Sequence, residues 1–145
     1  MDATTVDWLN ALLCDELAAV ETYTEALAER RSPLFSVELW KCKRSHEVRV
    51  RALQEKIASL GGRPTTAWGL KETVERMVDL GEAEFDDELV ISALAAGENQ
   101  LLQDYHVRIP RLDREVRSFV ERNLLPAEEY THDALSALMD HRRRD

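Results

Sequence analysis

The chain of 145 residues is 44% hydrophobic and 32% charged, with only 5 Gly and 4 Pro, which suits one soluble helical domain and leaves too few turn-formers for an all-β fold. A formal net charge of −9 with no basic stripe argues against a nucleic-acid partner. No run approaches the ~18 apolar residues of a membrane span and the start MDATT lacks a leader pattern, so no membrane partner and a cytoplasmic location are expected, while Cys14 and Cys42, without CxxC spacing, predict free thiols.

In the first helix, capped by Asp2, Thr4 or Thr5 and running to about Arg30, Val6, Leu9, Leu13, Val20, Tyr23 and Leu27 recur at steps of three and four as an apolar seam. Glu16 stands on that seam where a Leu would be expected. A buried carboxylate is costly alone, so it must gain a proton, a cationic side chain or a metal ion. The short break Arg31-Ser32-Pro33, with Ser32 as cap and Pro33 at the first helical position, predicts an antiparallel hairpin. A second helix follows to about Leu60, with Leu39, Cys42, His46, Val50, Leu53 and Ile57 on its seam and a stop at Gly61-Gly62-Arg63-Pro64. Measured from the hairpin turn, His46 and Arg49 lie at the depth of Glu16.

Thr65 to Gly69 reads as a loop and Leu70 to Leu80 as a short helix across the end of the bundle. The acidic stretch Glu82 to Asp87 suits a helix start. The third long helix carries Ile91, Leu94, Glu98, Leu101, Tyr105 and Ile109, with Glu98 again in mid-seam. Pro110 breaks it, and the last helix begins near Arg111. Its early seam is Leu112, Val116, Val120 and Asn123; its later one is Leu125, Glu129, His132, Leu135 and Met139. The two registers miss by about one residue at Pro126, which predicts a kink or π-bulge. Trp8, Trp40 and Trp68 read as packing at the bundle ends, and His106 and His141 as solvated.

Each long helix thus brings polar groups to the middle of its buried face: Glu16, then His46 and Arg49, then Glu98, then Glu129 and His132. Carboxylates and imidazoles converging from four helices suit a divalent transition metal, and the imidazoles argue against magnesium or calcium. Glu16-x6-Tyr23 is matched by Glu98-x6-Tyr105, and Leu53 and Ile57 by Leu135 and Met139, an internal repeat of a helix hairpin.

With Glu16, Glu98 and Glu129-Tyr130-Thr131-His132, the chain resembles the ferritin-like superfamily of four-helix-bundle di-iron carboxylate proteins. Leu60-Gly61-Gly62-Arg63-Pro64 and Trp68-Gly69-Leu70 make it similar to small rubrerythrin-like domains. The resemblance implies an all-α, ferritin-like four-helix bundle over residues 1–145, with a short extra helix in the connection between helices 2 and 3. It also implies iron, or manganese, as cofactor, held by Glu16, Glu98, Glu129 and His132, to which the seam reading adds His46. The chemistry implied is that of a non-haem di-iron-type oxidoreductase reacting with oxygen or peroxide. A metal ion is then the expected partner, and a homodimer is compatible with the chain.

The second helix departs from that pattern, because His46-Glu47-Val48-Arg49 stands where Glu-x-x-His is expected. Arginine stays protonated and cannot ligate. Either some of the five residues hold one metal, or Arg49 pairs with Glu16 in its place. A second reading is therefore a metal-free bundle acting as a structural or interaction protein. Counting back from Pro110, Glu98 faces Glu121 to Asn123, several residues short of Glu129 unless the third helix continues past Pro110 or the break at Pro126 shifts the register.

Overall fold

The computed structural model describes residues 3–29, 31–66 and 86–144, all helices and connections with no strand among them. α1 (Ala3–Ala28) and α2 (Pro33–Ser59) form a hairpin; α3 (Asp87–Arg108) continues as a 3₁₀ turn, Ile109–Arg111; and α4 (Arg114–Asn123) with α5 (Leu125–Arg144) makes a fourth, broken arm. The expected short helix at Leu70 to Leu80, and the Trp68-Gly69-Leu70 motif, lie outside the described residues. No helix among the described residues is long and apolar enough to cross a membrane.

Local chemistry accounts for the element ends. Ser32 has the extended backbone of a cap, but its hydroxyl makes no capping bond, and Pro33 at the first position sets the start of α2. At the other end Gly61 adopts φ 79°, its N–H bonds to Ala58 O at 3.0 Å, and the Gly62 N–H bonds to Ile57 O at 2.9 Å, which is the Schellman arrangement. A Cβ on Gly62 would stand 2.6 Å from Val6 Cγ1, so the second glycine is required by packing against α1. Asn10 then pins the exit, donating to Arg63 O and accepting from the Thr65 N–H. Asp86 and Asp113 cap α3 and α4 by accepting from the N–H groups of Leu89 and Val116.

Two apolar clusters occupy the ends of the bundle. One gathers Leu9 and Leu13 of α1, Leu53 and Ile57 of α2, Leu101 and Tyr105 of α3, and Val116, Val120 and Leu124 of the fourth arm. The other gathers Tyr23, Phe35, Leu39, Ile91, Leu94 and Leu135. Each fully buried Leu or Ile contributes about 1.5–3 kcal/mol. The memberships fix the helix directions: α1 and the fourth arm run from the first cluster to the second, and α2 and α3 run from the second to the first. α2 therefore ends at the opposite end of the bundle from the start of α3. Around the bundle, α1 packs along α2 and α3, and α5 packs along the same two. Arg31 ties the hairpin turn to the start of α3, with Nη1 3.2 Å from Asp87 Oδ1.

Trp8 is buried in the first cluster beneath the Arg108 guanidinium, but Trp40 departs from the expected end packing. It lies on the outer face of α2, 59% exposed, because Leu39 and Cys42 take the inward positions on either side. Cys42 is buried and Cys14 half-buried, neither of them in a disulfide, and His106 and His141 are exposed.

Candidate metal centre

Between the two apolar clusters lies a polar layer made of Glu16 from α1, His46 and Arg49 from α2, Glu98 from α3, and Glu128 and Thr131 from α5, all buried. Each takes a seam position that would otherwise carry an aliphatic residue. Their common depth follows from the turns. The 3₁₀ extension through Pro110 moves the α3–α4 turn to Leu112 and Asp113, so that Glu98 and Glu128 lie at almost equal distances from it.

The phase of the last helix is set at the break. Pro126 has no N–H to give to the preceding turn, and α4 stops at Asn123 with Leu124 at φ −115°, ψ −48°. Leu124 N–H still bonds to Val120 O, and Glu128 N–H to Leu124 O, each at 3.0 Å. The inward residues then step by four through the break, Val116, Val120, Leu124 and Glu128, before resuming with Thr131, Leu135 and Leu138. A step of four per turn exceeds 3.6, so the arm is locally underwound.

This phase corrects the sequence-based pair on the last helix. Leu124, not Leu125, carries the seam, and Glu128 and Thr131 take the inward places expected for Glu129 and His132. Glu129 is exposed. His132 is half-buried and turned aside, with Nε2 2.6 Å from Asn99 Oδ1 and Nδ1 3.0 Å from Asp133 Oδ1. Of the five expected ligands, Glu16, His46 and Glu98 come together and Glu129 and His132 do not. The ladder Val116, Val120, Leu124, Glu128 was the signal in the sequence that could have identified Glu128.

His46 is the hub, with Nδ1 2.5 Å from Glu16 Oε2 and Nε2 2.6 Å from Glu98 Oε1. The Tyr23 ring stacks on it, centroids 5.4 Å apart. The repeat expected from Glu-x6-Tyr is exchanged across the bundle: Tyr23 donates to Glu98 Oε1 and Tyr105 donates to Glu16 Oε1, each at 3.1 Å. Arg49 closes the layer on the other side, its Nη1 2.7 Å from Glu128 Oε1 and 3.4 Å from Glu16 Oε1, and its Nη2 donating to Thr131 Oγ1 at 3.1 Å. The Thr131 hydroxyl donates to Glu98 Oε2 at 2.6 Å. Glu128 Oε2 is the one buried side-chain oxygen or nitrogen among the described residues without a hydrogen-bond partner.

Three carboxylates face one permanent cation, Arg49, and the ionisation states adjust accordingly. Burial, and then the charge of Glu98, push the Glu128 carboxyl up to about 10, so it holds a proton at neutral pH. Burial alone would raise Glu98 as well, but the bonds and charge of His46, helped by Glu128 and Thr131, bring it down to about 2. Burial would lower His46, yet the Glu16 charge and the bonds to both carboxylates overcome that and raise it. Both ring nitrogens face acceptors, which fits an imidazolium. Burial and the neighbouring carboxylates hold the Tyr23 and Tyr105 phenols well above their ordinary value. Burial also pushes the Cys42 thiol up to about 12, so it keeps its proton at neutral pH.

Glu16, His46 and Glu128 each bring one donor atom within 4.8 Å of the other two, a three-ligand set of the kind that holds a transition ion with positions left open. With Nε2 committed to Glu98, His46 offers Nδ1 on the Glu16 side. Glu98 stands where an outer carboxylate would fix the tautomer of the imidazole if an ion were bound at Nδ1. The donor set and the unpartnered Glu128 oxygen fit a single ion. Comparison of the chain with protein-family models, with curated proteins and with solved structures gave no match.

Proposed function

We propose that this chain is a ferritin-like metal protein that holds non-haem iron or manganese through Glu16, His46 and Glu128, with Glu98 orienting the imidazole. The observation that carries this reading is the buried donor triad, one member of which keeps an oxygen without a partner. The ferritin-like assignment is supported by the parallel run of α2 and α3, with α2 ending at the opposite end of the bundle from the start of α3, and by the exchanged tyrosines of the two hairpins. Iron or manganese in such a site supplies one-electron chemistry toward oxygen or peroxide; the protein's own part is to exclude bulk water, present Nδ1 and keep the Glu98 carboxylate on Nε2.

A metal-free scaffold is the second reading. It is favoured by the closure of the layer's hydrogen bonds among its own members, Glu128 Oε2 apart. Elemental analysis of protein purified without chelator, with melting curves in added Mn²⁺ or anaerobic Fe²⁺, separates the two. A site in the folded state raises Tm by mass action, by about 2.7 kcal/mol of stability at a hundred times Kd. In the metal reading Glu16→Ala and His46→Ala lose that rise. Protein that retains no metal and melts identically with and without these ions would leave the scaffold reading standing.

A further inference from the structure

We infer that the centre takes one divalent ion per chain, because Arg49 fills as a built-in cation the place beside Glu128 and Glu16 that the second ion of a pair would need. This rests on the metal reading above and departs from the two-ion stoichiometry that the resemblance implies.

Arg49 is 0% exposed, so its head does not reach solvent along the α2 surface. Five contacts hold it. Nη1 reaches Glu128 Oε1 and Glu16 Oε1, Nη2 reaches Thr131 Oγ1 and, at 3.3 Å, Ser45 Oγ, and Nε donates to Ser45 O at 3.4 Å. A second ion would have to displace the guanidinium from carboxylates it already neutralises.

The charges lead to the same number. Glu16, Glu98 and Glu128 as carboxylates with Arg49 as cation leave two negative charges in a layer sealed by apolar clusters on both sides. One divalent ion cancels them with His46 neutral. Two ions would leave two positive charges in low dielectric, which is strongly unfavourable.

Ligand supply agrees. Glu98 Oε1 accepts from His46 and Tyr23, and its Oε2 accepts from Thr131, so a second ion on Glu98 would break the bond that orients His46 as well as those of Tyr23 and Thr131. On α2 and α5, the residues three beyond His46 and Glu128 are Arg49 and Thr131, which bond to each other where two imidazoles would be needed.

The test is the number of ions bound by the intact chain. Metal-free protein is titrated with Mn²⁺, following free Mn²⁺ by electron paramagnetic resonance, and with Fe²⁺ anaerobically, followed by desalting and elemental analysis. One ion per chain is the expected result. Two ions would overturn the inference and leave the metal reading intact; none would overturn both. The variant Arg49→His/Thr131→His, its fold checked by circular dichroism, is expected to bind two. A folded variant that still binds one would show that Arg49 is not what excludes the second ion, and the wild-type titration decides the stoichiometry even where the variant fails to fold.

Discussion

Arg49 Nη1 stands 2.7 Å from Glu128 Oε1 across the α2–α5 contact, and neither side chain reaches solvent. A guanidinium so placed cannot be removed without leaving the Glu16 and Glu98 carboxylates with His46 alone as their cation. Arg49→Met is therefore expected to destabilise the metal-free protein by about 3–5 kcal/mol, the range for breaking a buried pair. Urea unfolding at neutral pH checks this. A loss below about 1 kcal/mol would mean that the side chain lies outward.

Glu128 and Glu129 are neighbours with opposite expectations. Glu128→Gln replaces a buried carboxyl that holds its proton by an isosteric amide, so the metal-free protein should gain stability at pH 7 while its metal-induced rise in Tm disappears. Glu129→Ala should stay within about 0.5 kcal/mol and keep full metal content, as surface changes do, and His132→Ala should keep its metal too. Elemental analysis of the three variants side by side tests the register of α5. The reverse pattern would place the seam on Leu125.

Acidity should act oppositely on the metal-free and metal-bound forms. Folded Glu128, raised above its ordinary value by burial and by the charge of Glu98, keeps a proton that the unfolded chain sheds above pH 4.5, so the metal-free fold loses stability as pH rises from there. His46 is also raised, and its contribution is full below 6.5 and lost as pH climbs through its folded value. Glu98, lowered to about 2, contributes stability above 4.5 that is lost as pH falls toward 2. The raised Glu128 and His46 make the metal-free fold more stable in mild acid than at neutral pH, which urea unfolding across pH 5 to 8 checks.

Metal binding must expel the protons of Glu128 and His46, so apparent affinity should rise up to about a hundredfold per pH unit while both groups are still protonated. Calorimetric titration in buffers of different ionisation enthalpy counts the protons released, expected to be two per ion. Release of none would mean that neither group carries a proton that the ion replaces.

Much of the layer could be read in the sequence because α1, α2 and α3 are unbroken through it. A carboxylate or imidazole on a continuous heptad-like seam has its direction fixed by neighbours three and four away, which is why Glu16, His46 and Glu98 were found. The fourth arm was not legible in the same way. Leu124 and Leu125 are equally apolar, and the choice between them depends on how the chain relaxes around a missing N–H at Pro126. That choice moves every later residue by about 100° around the helix axis. The exchange of Tyr23 and Tyr105 between hairpins was equally hidden, since their spacing to the glutamates along the chain concealed that each serves the other repeat. The short helix expected at Leu70 to Leu80 lies outside the described residues.

Two apolar clusters separated by a polar layer do not form one continuous hydrophobic contact, and their coupling passes through Glu16, His46, Arg49, Glu98 and Glu128. In the language of amide exchange, the bundle should behave as two protected blocks joined by an electrostatic clasp. Without metal, amides of α3 around Val90 to Leu94 should open without those around Leu101 to Tyr105, at a free energy below that of global unfolding. An ion spanning α1, α2 and α5 would fasten both blocks, so that their slowest amides exchange together. The ligands would then determine not only what the protein binds but whether it unfolds in one step.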